Sequence, residues 1–170
     1  MKRWFLVGIM ASMLAVILVC HMSATFAENI SCKYCGMEKA KFGHTWMEIL
    51  YDDGSTGGFC SLHCAAIDIA LHIDKTPKKI LVGDYNTKKL IDAEEAHWVI
   101  GGKKIGVMTT RAKWAFTSRE DANKFIDAYG GESATFESAM KAAFEDMYED
   151  VLMIQKKRKM MRMKKMEPKS

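Results

Sequence analysis

Residues 45–74 read "TWMEILYDDGSTGGFCSLHCAAIDIALHID". "TWMEILY" has the β-branched and aromatic content of a strand. "DDGSTGG" is turn-rich, and "GFC" enters a second strand, so the first half predicts a β-hairpin. "SLHCAAIDIALHID" predicts a helix capped by Ser61, with Cys64, Ile67, Ile69, Ala70 and Ile73 on its apolar face. Pro77 stops that helix, and "KILVG" supplies a further short strand. The order is strand, strand, helix, strand.

The same order recurs downstream. "AHWVIGGKKIGV" and "KWAF" are strand candidates around a glycine-rich bend. "TSREDANKFIDAYGG" predicts a helix capped by Ser118, with Glu120 and Asp121 in its first turn and Gly130-Gly131 at its end. "ESATF" can close the unit. Phe59-Cys60-Ser61 in the first block matches Phe116-Thr117-Ser118 in the second. The chain therefore reads as an α+β protein of two ββαβ lobes, over residues 30–91 and 92–136, related by an internal duplication. From residue 137 to 155, Met140, Phe144, Met147, Val151 and Ile154 recur at helical spacing, a seam able to pack on the body or on a second copy.

Both termini differ from this body. Lys2 and Arg3 precede an apolar run from Trp4 to Cys20, and "TFA" ends at Ala27 with small residues in the right places. That is the layout of a secretory signal peptide over residues 1–27, with the rest exported to the periplasm. The run is also near the lower length for a membrane anchor. Lipidation at Cys20 is disfavoured by the bulky Val19 before it. Residues 156–170 hold eight Lys/Arg against the single Glu167, so the net charge of +4 belongs to the ends and the body is acidic. This excludes a nucleic-acid-binding core and gives the tail an affinity for anionic lipid. Beyond Gln155 the seam dissolves, and a mobile tail is expected.

Four cysteines follow Ala27: Cys32 and Cys35 in "CKYCGM", and Cys60 and Cys64 in "FCSLHC". Cys32-x-x-Cys35 can offer two sulfurs to one ion from a tight turn. Cys60 and Cys64 can do so one helical turn apart. Disulfides, structural zinc, a redox dithiol or a soft-metal site all fit such pairs in an exported protein. Met37 beside Cys35, and Met108 on the loop facing the second helix, add thioethers. Thiolate with thioether favours Cu(I) over zinc. His63 can be a packing residue or a ligand, while His44, His72 and His97 stand alone. No nucleophile elbow, phosphate loop or zinc-protease motif is present, so an enzyme is not expected.

"CKYCGM", "TWMEILYDDGSTGGFCSLHC", "ILVGDYNTKKLIDAEEAHWVIGG" and "VMTTRAKWAFTSREDANKFIDAYGG", in that order, resemble the NosL family, copper-binding accessory proteins of nitrous oxide reductase. The resemblance covers roughly residues 32–136. It implies a periplasmic Cu(I) metallochaperone of two ββαβ lobes that hands copper to a recipient metalloenzyme or its assembly complex. Cys35, Met37 and Met108 fall on the family's soft-ligand positions, with Cys32, Cys60 and Cys64 as further thiolates or a resolving pair. Val107-Met108-Thr109 replaces the family's Pro-Met-Gly. The thiol-rich "FCSLHC" looks more like the short metal-binding modules called TRASH domains. The alternatives are a zinc- or disulfide-stapled interaction module, and a thiol oxidoreductase working through Cys32 and Cys35.

Overall fold

The computed structural model describes residues 30–166. The expected signal peptide lies outside the described residues. Within them, no helix is long and apolar enough to cross a membrane. A short helix α1 (Lys39–Phe42) leads into the hairpin β1 (Met47–Tyr51) and β2 (Thr56–Phe59), then α2 (Leu62–Leu71), β3 (Pro77–Gly83) and β4 (Leu90–Asp92). The second unit is β5 (His97–Ile100), β6 (Lys113–Phe116), α3 (Arg119–Tyr129) and β7 (Glu132–Ala134), followed by α4 (Phe136–Glu145) and α5 (Met147–Met166).

Two antiparallel sheets form, ordered β2-β1-β3-β4 and β6-β5-β7. In each, the helix returns the chain beside the first strand of the hairpin, so the ββαβ connectivity repeats as expected. β4 is an addition. Asp92 pairs with Leu81, so the first sheet runs one residue past the expected boundary at 91.

Alternation along β5 and β6 places the second sheet between two layers. Trp98 and Ala115 are register partners and join the core under the first sheet; Val99 and its partner Trp114 face α3 with Phe116 and Phe125. Asp84, fully buried after β3, joins the sheets. Its carboxylate accepts from the backbone and hydroxyl of Thr87 (2.7 and 2.8 Å) and of Thr117 (2.8 and 3.0 Å). Gly83 allows the loop before β1 to cross β3: a Cβ there would lie 1.8 Å from the Gly43 carbonyl oxygen.

Four local expectations are corrected. The apolar face assigned to α2 is displaced: Ile73 is 91% exposed and Ala70 is exposed, while Leu62, His63, Cys64, Ala65, Ala66 and Asp68 are buried. The helix enters the core end-on, so its first two turns sink on all sides and its last turn projects. Ser61 occupies the N-cap position but makes no side-chain capping bond, whereas Ser118 accepts from Asp121 N at 3.1 Å. The single C-terminal helix is two. Asp146 separates α4 from α5, and the buried face of α4 is Ala139, Ala142 and Ala143, with Phe144 43% exposed. Small side chains let α4 approach α2 closely. The tail expected to be mobile beyond Gln155 continues as helix to Met166.

Candidate metal centre

The thiol site is assembled by a turn, a strand end and a helix start. In "CKYCGM" the Cys32 amide donates to the Met37 carbonyl at 2.8 Å, and the Gly36 amide to the Cys32 carbonyl at 2.9 Å. Gly36 sits at φ +76°, a left-handed position open to glycine at no steric cost. The Lys33 amide donates to Gly58 of β2 at 3.2 Å, laying the turn against the hairpin. Cys60 follows β2 directly, and Cys64 lies in the first turn of α2.

Asp68, one turn beyond Cys64, locks the turn to the helix. Its carboxylate accepts from Tyr34 Oη (2.5 Å), Tyr51 Oη (2.6 Å) and Lys33 Nζ (2.9 Å). Lys33 and Tyr34 are the two residues between Cys32 and Cys35, so one carboxylate fixes the intervening pair. Burial alone would raise Asp68; the tyrosine and lysine donors outweigh it and hold the carboxyl below its usual range.

The four ligand-capable sulfurs of Cys32, Cys35, Cys60 and Cys64 lie within 4.8 Å of one another. Cys35 Sγ is 3.3 Å from Cys60 Sγ, and Cys60 Sγ is 3.7 Å from Cys64 Sγ. All four are free thiols, so the disulfide-stapled alternative is not what this structure shows. Cys32, Cys60 and Cys64 are buried and Cys35 is partly exposed. Hydrogen bonds from Cys35, Cys60 and Cys64 push the Cys32 thiol down. Hydrogen bonds with Cys32 and Cys35, together with burial, push Cys60 and Cys64 up. Cys35 is raised by Cys32 but lowered by Cys60 and Cys64, and comes out at about 7.

Cys35 also opens onto a cavity of about 510 Å³, where it is joined by Met37, His44 and Met108. Met108 has φ +61°, a strained setting for a non-glycine residue. Its loop is held from α4 and α5: Asp150 Oδ1 accepts from Thr110 N at 2.9 Å, and Asp146 pairs with both Arg111 and Lys113. A separate groove of about 380 Å³, over the outer face of the first sheet at Ile30, Leu50 and Leu81, holds no sulfur donor.

The structure thus brings the four thiols together and places Met37 and Met108 on a cavity that Cys35 also lines. It also adds residues that the sequence left aside. His44 stacks on Trp114 (ring centroids 6.0 Å apart) and lines the cavity. Met153 and Met161 line it from α5. A residue facing a site across a tertiary contact leaves no local pattern. His63 is not directed at the thiols: its Nδ1 lies 3.5 Å from Asp150 Oδ2. The redox-dithiol reading meets a different setting from the usual one. Cys32 is 2% exposed, and the motif sits on a turn rather than opening a helix.

The NosL sequence profile matches residues 23–144. The chain belongs to the NosL family. α5 lies beyond the matched segment, so one wall of the cavity is built from outside the NosL region. Among solved structures, the copper chaperone NosL from Shewanella denitrificans superposes with a TM-score of 0.53 at 24% identity, over 64% of this chain and 87% of that one. That likeness establishes the NosL fold. No curated protein matches the sequence. Family and cysteine cluster together indicate a metal-binding protein.

Proposed function

We propose that this protein is an exported Cu(I) metallochaperone that delivers copper to a periplasmic enzyme such as nitrous oxide reductase. The single observation behind the proposal is that Cys35, Met37 and Met108 line one cavity, with Cys35 the only one of the four clustered thiols among the residues lining it. A thiolate and two thioethers suit a soft monovalent ion. A carrier needs few ligands on an accessible face, so that a recipient can displace them one at a time. Membership of NosL, a family of chaperones rather than enzymes, supports the same reading.

Anaerobic Cu(I) competition against a chromophoric chelator tests it. Cys35→Ser should abolish tight binding; unchanged affinity would sink the assignment. Transfer from the loaded chain to copper-free nitrous oxide reductase, followed by recovery of its activity, tests the recipient. Recovery of the protein in a periplasmic fraction tests export.

Two interactions belong to this reading. Lys156, Lys157, Arg158, Lys159, Arg162, Lys164 and Lys165 make the end of α5 a surface for anionic headgroups, which salt-sensitive binding to phosphatidylglycerol vesicles would reveal. Phe144, Tyr148 and Leu152 recur every four residues and are exposed, a stripe that a second copy can cover; sedimentation of the full chain measures this.

A further inference from the structure

The end of α5 exposes sulfur. Four of the chain's 14 methionines fall within residues 160–166, and Met160, Met161, Met163 and Met166 are 52%, 64%, 59% and 82% exposed. Side chains this exposed add little to a core, so the thioether is what they offer. A groove of about 380 Å³ runs along this end, lined by Gln155, Arg158, Lys159, Arg162, Met163 and Met166. We infer that this groove is a capture site for anionic complexes of a soft monovalent metal: Met163 and Met166 take the metal, while Arg158, Lys159 and Arg162 hold its departing anions. The inference rests on the carrier reading and names the form in which the cargo arrives.

Spacing, charge and position argue for this. The lining residues fall in two adjacent rows read at intervals of four, Gln155-Lys159-Met163 and Arg158-Arg162-Met166. Each row runs from polar groups to a thioether. Met163 and Met166 are three residues apart, so their Cβ atoms are neighbours at about 5–6 Å. Two thioethers on flexible stems can close on one ion from such positions. α5 has no acidic residue after Asp150, so nothing on the helix itself neutralises the cations of the groove.

A bare metal cation is repelled by such a surface. A soft monovalent ion held by thiolate or halide ligands is a different object, because its anionic ligands outweigh the metal's charge. The cations raise the local concentration of that complex, and the thioethers match the softness of its metal. The groove also adjoins the cargo cavity: Arg158 lines both, and Met161 lines the cavity from the same stretch of helix.

Capture is then a ligand exchange without electron transfer. A lone pair of a Met163 or Met166 sulfur forms a bond to Cu(I) as the bond to one anionic ligand breaks. The anion leaves with its electron pair, passes the cations of the groove to solvent, and copper stays Cu(I). Neutral thioethers hold Cu(I) less tightly than a thiolate does, so copper moves on toward Cys35.

The test uses the full chain, in excess and without oxygen, with two Cu(I) chelates of the same phenanthroline core as donors: the anionic bathocuproine disulfonate complex and the cationic neocuproine complex. Loss of each chelate's colour gives the transfer rate. Lys159→Gln with Arg162→Gln should slow transfer from the anionic donor roughly tenfold and leave the cationic donor no slower. The wild-type rate from the anionic donor should fall with ionic strength. Met163→Leu with Met166→Leu should slow transfer from both donors and leave binding to phosphatidylglycerol vesicles intact, since a headgroup needs the cations but not the sulfur. Every variant should reach the wild-type copper content at equilibrium, because Cys35, Met37 and Met108 are untouched. Transfer rates indifferent to both pairs of substitutions would overturn the capture site and leave the carrier reading standing. Rates that respond to the charge substitutions alone would also overturn it, and would assign the groove to lipid headgroups. A wild type that takes copper from neither donor would remove the carrier reading, and the capture site with it.

Discussion

Nδ1 of His63 lies 3.5 Å from Oδ2 of Asp150, and the two side chains are 2% and 0% exposed. His63 sits on α2 between Cys60 and Cys64; Asp150 sits on α5 and holds the Met108 loop through Thr110. One carboxylate therefore lies against α2 beside the thiols and holds the loop that carries Met108, from a helix outside the NosL region.

Removing Asp150 should loosen the Met108 loop. Asp150→Ala leaves the Thr110 amide without its acceptor, at a cost of about 1–3 kcal/mol. Urea unfolding of the metal-free protein measures the loss. Cu(I) affinity should fall by tenfold or more as the Met108 loop is released. A stable variant with native affinity would show that the loop is held otherwise.

The Asp68 lock predicts a graded series. Tyr34→Phe removes one hydrogen bond and should cost about 1–2 kcal/mol, whereas Asp68→Ala leaves two tyrosine hydroxyls unpaired and should cost about 3 kcal/mol or more. Lys33 is half exposed, so Lys33→Ala should have little effect. Equal effects from all three would contradict the geometry.

Met108 offers a case where stability and binding separate. Its left-handed backbone is strained, and glycine relieves that strain by about 1 kcal/mol. Met108→Gly should therefore leave the unfolding midpoint unchanged or higher, even though a half-buried side chain is lost. Tight Cu(I) binding should disappear. A clear drop in midpoint with copper affinity intact would assign Met108 to packing.

Acid stability should depend on Asp84. Burial raises its carboxyl, but donors from Thr87 and Thr117 outweigh this and hold it below its ordinary value. A lowered folded pKa means that its stabilisation is present above the unfolded value, about 3.9, and is lost as pH falls through the folded value. Asp84→Asn should weaken the fold at neutral pH by about 1.5–3 kcal/mol. It should also flatten the loss of stability below about pH 4. An acid-unfolding curve unchanged in slope would place the join between the sheets elsewhere.

Much was written in local pattern. The hairpin, both ββαβ units, the Ser118 cap and the paired cysteines are short-range signals: alternation, turn chemistry and ligand spacing act over a few residues, so the amino-acid sequence determined them by itself. Cys32-x-x-Cys35 and Cys60-x-x-x-Cys64 marked the paired thiols but left disulfide, zinc, redox and soft-metal uses open. Tertiary structure alone decided how those donors were divided. Burial of the first turns of α2 closed three thiols off, while Cys35 was left facing Met37 and Met108 across a cavity. It also brought His44 and the α5 methionines to that cavity, ran the basic tail on as helix, and set Asp68 and Asp150 as anchors. These relationships join residues tens of positions apart. They depend on which faces two elements bury against each other, and no periodicity within either element encodes that choice.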